Sequence, residues 1–182
     1  MFVDIVGFTR MGESMSPAAA MALLRAFHTE VEQAVFAHNG MVDKFMGDGA
    51  LACFGVPEAS PAAAADAIRA ALTLLTALRR PRAEGGAALR VGIGIHHGPV
   101  LMGDIGGATQ FQFTVVGDTV NVASRLEAMT RQHDTDIIVS AAVIEAARGH
   151  LEPELLERFQ RMPELRLRGR DGGIGGWRLA AI

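Results

Sequence analysis

Apolar residues recur at helical spacing in two long stretches of the chain. The first stretch opens with Ser16 and Pro17, an N-cap residue followed by a proline suited to the first helical turn, and Asn39-Gly40 ends it. Its apolar stripe consists of Met21, Leu24, Val31 and Val35, and His28 falls among them as a partly buried histidine. The second stretch follows Ser60-Pro61 and carries Ala64, Ile68, Ala71, Leu75 and Leu78. Both patterns predict amphipathic helices that lie on a core.

Shorter apolar runs have the length and turn signals of strands. Met1–Val6 opens the chain, and the runs Met41–Met46 and Leu51–Val56 flank Gly47-Asp48-Gly49, which predicts a hairpin. Further strands are predicted at 90–97, 100–105, 110–116, 136–139, 165–168 and 177–179. Helices are predicted from Thr119 to about Arg131, with Asp118 as the N-cap, and at 141–148.

Strands and helices are interleaved, while the hairpin makes part of the sheet antiparallel. We therefore expect an α+β sandwich with a mixed, mainly antiparallel sheet and helices covering one face. The 182 residues suit a single domain, 1–182. Met1–Val6 has no lead-in, so we expect the first strand to be truncated at its N-terminal side, as in a domain taken from a longer protein.

Composition narrows the class of protein. Hydrophobic residues make up 49% of the chain, enough for a sizeable core, and a net charge of −3 gives no general attraction to nucleic acid or to an anionic membrane. A single cysteine, Cys53, excludes an internal disulfide and favours a reducing compartment. The sequence shows no membrane-spanning stretch and no secretory signal, so we expect a cytoplasmic protein.

Two aspartates are candidate metal ligands. Asp4 lies inside an apolar run, where a charge is costly unless it is paired or bound to a cation. Asp48 lies in the hairpin turn, and a glycine on each side lets the backbone approach a bound cation closely. Asp-Gly is, however, also an ordinary sequence for a hairpin turn. Carboxylates at the ends of neighbouring strands can converge on divalent cations.

A second candidate pair lies on the helix after Asp118. Asn121 and Arg125 are four residues apart, so they share one helix face. Asn121 offers a donor and an acceptor, and Arg125 offers a planar cation that suits a phosphoryl group. Such a pair is also commonplace on helices, so by itself it leaves the function open.

The basic residues are almost all of one type. Sixteen of the 17 are arginine, and the only lysine is Lys44. On this count alone, compositional bias with one chance survivor is the simpler explanation, and a need for an ammonium group at that position is the alternative.

Four segments, however, resemble the signature segments of the class III nucleotidyl cyclases, in that family's order and spacing. They are FVDIVGFT at 2–9, DKFMGDG at 43–49, RVGIGIHHG at 90–98 and TVVGDTVNVASRLE at 114–127. The resemblance covers nearly the whole chain. It implies a ferredoxin-like α+β fold that works as a head-to-tail homodimer, with catalytic sites at the interface.

The resemblance also implies roles for individual residues. Asp4 and Asp48 match the two aspartates that bind two Mg²⁺ or Mn²⁺ ions, with the Ile5 carbonyl as an additional ligand. Asn121 matches the residue that orients the ribose, and Arg125 matches the one that stabilises the transition state; both come from the subunit opposite the aspartates. The residues that match phosphate-contacting positions are Arg90 and, more loosely, Arg168 and Arg170.

Lys44 and Thr114 match the positions that read the purine. A lysine ammonium only donates hydrogen bonds, so it suits N1 of adenine and opposes N1–H of guanine. Thr114 replaces the family's usual aspartate, a variant typical of the class IIIb branch. A hydroxyl accepts or donates, so Thr114 leaves the strictness of selection open.

The implied activity is adenylate cyclase, which converts ATP to 3′,5′-cyclic AMP and pyrophosphate. The alternatives are a guanylate or relaxed-specificity cyclase and a non-catalytic nucleotide-binding module. The implied partners are ATP, a second copy of the chain and a regulatory or sensor domain outside this sequence. We expect no binding to nucleic acid and no direct membrane contact.

Overall fold

The computed structural model describes residues 1–80, 88–107, 111–167 and 172–180. Among these residues the strands are β1 (Phe2–Ile5), β2 (Gly40–Met46), β3 (Gly49–Phe54), β4 (Val91–Ile95), β5 (Leu101–Gly106), β6 (Phe111–Val116), β7 (Ile137–Ser140), β8 (Phe159–Arg161) and β9 (Gly176–Leu179). The helices are α1 (Phe8–Gly12), α2 (Pro17–Phe36), α3 (Ala63–Leu78), α4 (Asp118–Met129), α5 (Ala141–Ala147) and α6 (Pro153–Glu157).

Seven strands form one sheet in the order β2-β3-β1-β4-β7-β9-β8. Only the β4–β7 pair is parallel among these described strands, so the sheet is mixed and mainly antiparallel, as predicted. Strands β5 and β6 form a separate antiparallel hairpin. The antiparallel pairing of β1 with β3 puts the C-terminal end of β1 beside the β2–β3 turn, and the candidate site lies there.

The main core lies between the sheet and helices α2, α3 and α5. Alternate residues of the central strands point into it, among them Val3 and Ile5 of β1 and Ile93 of β4, which are all almost fully buried. They pack with Phe27 of α2 and Ile68 of α3. Full burial of each such side chain stabilises the fold by roughly 1.5–3 kcal/mol.

Helix α4 packs on the opposite face of the sheet, so the expectation that helices cover one face is wrong. Gly92 and Gly94 of β4 face this helix. A Cβ at Gly94 would overlap the Ala123 carbonyl and the Glu127 amide, and one at Gly92 would overlap the Thr130 side chain. The two glycines therefore allow α4 to approach the strand at backbone distance. A second, smaller cluster lies under this helix and contains Val122, Leu126, Ile138, Met162, Leu165 and Leu167.

Helix starts agree with the sequence prediction in one case and differ in two. The Ser16 hydroxyl caps α2 by accepting from the Ala19 amide. Ser60 instead accepts from the Ala62 amide in a turn, and α3 begins only at Ala63. Asp118 is not the N-cap of α4 but its first residue. Gly117 is the N-cap, with a φ of 147° that favours glycine.

Three short elements were not predicted from the sequence: α1, α6 and β8. Each is only three to five residues long, too short to show a helical or strand period. No helix in the described part of the chain is long and apolar enough to cross a membrane.

Candidate active site

Asp4, Ile5 and Asp48 lie together where β1 meets the β2–β3 turn. The Ile5 amide donates to the Asp48 carbonyl at 3.1 Å, and Asp4 stands opposite Gly49 in the antiparallel register. A Cβ at Gly49 would lie 3.1 Å from Asp4 Oδ2 and 3.3 Å from the Val3 carbonyl, so glycine leaves room for the carboxylate. The structure thus places the two predicted metal-binding aspartates and the Ile5 backbone side by side.

His28 of α2 holds the turn that carries Asp48. Its Nε2 lies 3.0 Å from the Gly47 carbonyl, and its ring stacks on Phe45 with the centroids 4.0 Å apart. Because a carbonyl only accepts, Nε2 is the protonated nitrogen in this contact. The prediction of a partly buried, hydrogen-bonded histidine is confirmed, and its partner shows that it positions the turn.

Arg131 and Glu127 extend this group of charges, and neither was singled out from the sequence. Arg131 Nη2 donates to Asp4 Oδ1 at 2.5 Å, and Arg131 Nη1 lies 2.9 Å from Glu127 Oε1. The second contact is an ion pair without hydrogen-bond alignment, since the buried Glu127 Oε1 has no hydrogen-bond partner among the described residues. The spacing of Glu127 and Arg131, one helical turn apart, is the signal by which the pair could have been found.

Burial, together with the crowding of negative charge, perturbs these carboxyl groups. Burial raises the pKa of Asp4, and the charge of Asp48 raises it further, while Arg131 acts in the opposite direction. Burial also raises the pKa of Glu127 to about 7, against the pull of Arg131 and with the help of Asp4. Arg131 is therefore paired with two carboxyl groups at once, those of Asp4 and Glu127.

Glu127→Gln is expected to stabilise the metal-free protein more at pH 8 than at pH 5. The folded state holds a proton on Glu127 between pH 4.5 and about 7, where the unfolded state releases it, so this carboxyl group costs stability as the pH rises through that window. Glutamine has no such dependence. We expect the advantage of the variant to grow by about 1–3 kcal/mol between the two pH values, measured by urea unfolding in EDTA. Glu145→Gln, at an exposed site, is the control; an equal advantage of Glu127→Gln at both pH values would contradict the assignment.

The carboxylates of Asp4 and Asp48 fit a magnesium-type cation that takes its other ligands from water and from a substrate. Among the described residues no group of three or more His, Cys, Asp or Glu side chains could enclose a metal by itself. Mg²⁺, however, usually binds through one or two carboxylates and completes its shell with water and substrate phosphates. The two carboxylates, the space left by Gly49 and the repulsion from Asp48, which adds to burial in raising the pKa of Asp4, all suit such a cation.

Lys44 and Thr114 lie on different strands and are linked through one buried carboxylate, that of Asp43. The Thr114 hydroxyl donates to Asp43 Oδ2 at 2.7 Å, and Lys44 Nζ lies 3.4 Å from the same oxygen. The Val115 amide donates to Asp43 Oδ1 at 3.2 Å. The structure therefore brings the two predicted purine-reading residues together and adds Asp43, which no pattern in the sequence singles out.

Asn121 and Arg125 share one face of α4, as predicted, but that face turns away from Asp4. An α-helix advances by roughly 100° per residue, so Arg125 lies about 200° around the helix from Glu127, which faces Asp4 through Arg131. Asn121 is exposed and Arg125 partly exposed. We find no hydrogen bond or ion pair for either side chain within residues 1–80, 88–107, 111–167 and 172–180. One chain thus carries both halves of the predicted site without joining them.

Arg90 points toward acidic residues beyond α4. Its guanidinium donates to Asp134 Oδ1 at 2.5 Å and lies 3.6 Å from Asp136, and the hydrogen bond with Asp134 raises the pKa of Arg90. The Arg90 carbonyl accepts from the Val6 amide at 2.9 Å, so the backbone of Arg90 lies close to the end of β1 that carries Asp4. Its side chain is directed at Asp134 and Asp136 and not at Asp4. A phosphate contact by Arg90 stays a prediction. Arg168 and Arg170 lie outside the described residues.

Residues 1–179 match the family described as the adenylate and guanylate cyclase catalytic domain. The chain therefore belongs to this family of nucleotide cyclases, and the predicted family is confirmed.

Relatives within the family include adenylate cyclases. The chain is 37% identical over 148 residues to adenylate cyclase 1 of Rhizobium meliloti, an alignment that covers 79% of this chain and 22% of that protein. It is 34% identical over 152 residues to the adenylate cyclase of Anabaena cylindrica, covering 79% and 29% of the two chains. The chain thus spans less than a third of the length of these relatives.

Solved structures confirm the fold class and include both substrate types. A bacterial light-regulated adenylyl cyclase superposes with a TM-score of 0.83 at 26% identity, covering 98% of this chain and 50% of that one. The guanylate cyclase domain of RhGC from Catenaria anguillulae, in complex with GTP, gives a TM-score of 0.82 at 26% identity and covers 99% and 93%. Overall similarity therefore does not distinguish ATP from GTP, and the choice of base depends on side chains in the site.

Proposed function

We propose that this domain converts ATP to 3′,5′-cyclic AMP and pyrophosphate at the interface of a head-to-tail homodimer. The observation that carries the choice of ATP is the joint placement of Lys44 and Thr114 on Asp43. The Lys44 ammonium donates hydrogen bonds and has no lone pair, so it pairs with N1 of adenine and is opposed by N1–H of guanine. A hydroxyl next to it can accept from the 6-amino group of adenine.

Asp4, Asp48 and the Ile5 carbonyl are the groups that would hold two Mg²⁺ or Mn²⁺ ions. When bound, these ions supply Lewis acidity toward the ribose 3′-hydroxyl and the triphosphate. Asp4 and Asp48 project from adjacent backbone segments that are hydrogen-bonded to each other, so their relative position is fixed before the cations and substrate arrive. Arg131 is the counterion of Asp4 until then.

Asn121 and Arg125 act on the reacting part of the substrate. The bond that forms joins the ribose 3′-oxygen to the α-phosphorus, the bond that breaks joins the α-phosphorus to the oxygen of the departing pyrophosphate, and the proton of the 3′-hydroxyl leaves with pyrophosphate. Asn121 orients the ribose, and the Arg125 guanidinium meets the charge that develops on the α-phosphoryl oxygens. Loss of one such donor typically costs about 10²–10³ in rate. Arg90, Arg168 and Arg170 are proposed to contact the departing phosphates.

A homodimer is supported by two features of the single chain. The first is the opposite orientation of the two half-sites, because Asn121 and Arg125 reach a substrate on Asp4 and Asp48 only from a second chain. The second is the apolar surface of the β5–β6 hairpin. Its exposed large side chains are Leu101, Ile105, Phe111, Phe113 and Val116. Such a patch is typical of an interaction surface rather than of a surface that stays in water.

We also propose that the domain acts under the control of a regulatory segment elsewhere in a longer protein. The relatives named above are more than three times longer than the matched region. One of the matched structures is a light-regulated cyclase, of which this chain covers half.

The decisive assay measures cyclic nucleotide production from ATP and from GTP, in Mg²⁺ and in Mn²⁺, over a range of protein concentration. We expect cyclic AMP from ATP with a kcat/KM at least about 10-fold above that for GTP. Specific activity should fall on dilution, because the site needs two chains. A preference for GTP would make the domain a guanylate cyclase. Nucleotide binding without turnover under every condition would make it a binding module.

A further inference from the structure

Asp43 occupies an irregular position in β2 that directs its side chain away from the regular ladder. The register of β2 against β3 pairs Val42 with Ala52 and Lys44 with Leu51, so Asp43 is the extra residue of a β-bulge. Bulges re-aim side chains and are frequent beside active sites. Here the bulge turns the Asp43 carboxylate toward β6, where only 2% of its side chain remains exposed.

Each acceptor oxygen of Asp43 has a defined donor. Oδ1 accepts from the Val115 amide at 3.2 Å and Oδ2 from the Thr114 hydroxyl at 2.7 Å, with Lys44 Nζ 3.4 Å from Oδ2. A carboxylate only accepts hydrogen bonds, whereas a hydroxyl has a single hydrogen. The hydrogen of Thr114 is therefore committed to Asp43, and the Thr114 oxygen has only lone pairs left for a ligand.

This commitment decides which purine the pair fits. With Lys44 as a donor and Thr114 as an acceptor, the site is complementary to adenine, which presents N1 as an acceptor and its 6-amino group as a donor. Guanine presents the reverse pattern, N1–H and O6, and meets a mismatch at both positions. A Thr114 hydroxyl free to rotate would donate to O6 and remove one of these two mismatches.

We propose that Asp43 is the positioning residue that makes Thr114 an obligate hydrogen-bond acceptor and so sets the selectivity for ATP over GTP. This inference rests on the proposed function, in which Lys44 and Thr114 read the base. The described hydrogen bonds and ion pairs of Asp43 include neither Asp4 nor Asp48, and in this proposal Asp43 does not touch the substrate. It acts through the direction of one hydrogen bond.

Asp43→Asn tests the inference because an amide has one acceptor oxygen where the carboxylate has two. When that oxygen accepts from the Val115 N–H, the NH₂ group faces Thr114, donates to its oxygen and lies beside the Lys44 ammonium. The Thr114 hydrogen is then free to point at the base. We expect the ratio of kcat/KM for ATP to that for GTP to fall roughly 10- to 100-fold.

A double-mutant cycle separates this mechanism from simple loosening of the β2–β6 contact. Thr114→Val removes the hydroxyl, so Asp43→Asn should change the ATP/GTP ratio little in that background. A structural defect would instead lower the rates for ATP and GTP together and leave the ratio unchanged. Asp66→Asn is the matched control, since Asp66 is another buried aspartate that accepts hydrogen bonds, and its partners are Asn39 and Arg69 rather than Thr114.

A base analogue tests the same hydrogen bond with Asp43 intact. Purine riboside triphosphate keeps N1 and lacks the 6-amino group, so the wild-type protein should use it about 10-fold less well than ATP, and Thr114→Val should remove that difference.

The outcomes are distinct for the inference and for the proposed function. A wild-type preference for ATP that survives Asp43→Asn unchanged, or equal use of ATP and the analogue by the wild-type protein, overturns the role of Asp43 and leaves the adenylate cyclase proposal standing. A wild-type protein that prefers GTP overturns both.

Discussion

Asp48→Ala is expected to abolish metal-dependent cyclisation, with a loss of roughly 10³-fold or more in kcat/KM for ATP in Mg²⁺ or Mn²⁺. The substitution leaves Asp4 as the remaining carboxylate of the pair, too few ligands to hold two cations against a triphosphate. Turnover of ATP and the Mn²⁺-induced rise in Tm are the two measurements. Both should be lost together.

The fold should survive this change because the structural role of residue 48 belongs to its backbone. The Asp48 carbonyl accepts from the Ile5 amide, and His28 holds the neighbouring Gly47 carbonyl, so neither contact involves the Asp48 carboxylate. Removing that charge also relieves repulsion on Asp4. We expect Tm in EDTA to be equal to or above that of the wild-type protein. Glu145→Ala, an exposed acid on α5, is the control and should retain full activity. Wild-type turnover by Asp48→Ala would remove the metal assignment.

The larger elements of the fold could be predicted from the sequence because each has a local signal, either a periodic spacing of apolar residues or a turn motif. Helices α2 and α3 show apolar stripes, and the β2–β3 hairpin is marked by its Gly-Asp-Gly turn. The position of α4 could not be predicted in the same way. Its place on the second face follows from Gly92 and Gly94, and a glycine in a strand indicates close approach without saying which element approaches.

The residues of the candidate site likewise divide into those that the sequence identifies and those that only the folded structure reveals. Asp4 and Asp48 were identified as carboxylates at the ends of neighbouring strands, and Lys44 and Thr114 obtained their roles because they match family segments; the structure brings the four together in two pairs. Asp43 and Arg131 were not identified, because their importance depends on contacts across long stretches of sequence. Asp43 reaches Thr114 on β6, 71 residues away, and Arg131 reaches Asp4, 127 residues away. No local pattern encodes such pairs, and a bulge such as that at Asp43 is not visible in binary patterning.

Mixing two inactive variants is expected to restore activity if the site is shared between chains. Asp4→Ala removes a metal-binding carboxylate, and Arg125→Ala removes the cation that meets the transition state, so each homodimer lacks the same group in both of its sites. A heterodimer of the two variants has one site that lacks both groups and one site that lacks neither. Random exchange of an equimolar mixture yields half heterodimers, so we expect about a quarter of the wild-type specific activity.

The control for this mixing experiment combines two changes on the same side of the site. Asp4→Ala mixed with Asp48→Ala should stay inactive, because every site in every dimer then lacks an aspartate. Arg125→Ala is a mild change for the fold, since its side chain makes no ion pair within the described part of the chain. Asp4→Ala releases Arg131, so its heterodimer content is checked by native mass spectrometry. Heterodimers that form without activity would show that the half-sites of one chain do not complete those of another, and the interface proposal would fail.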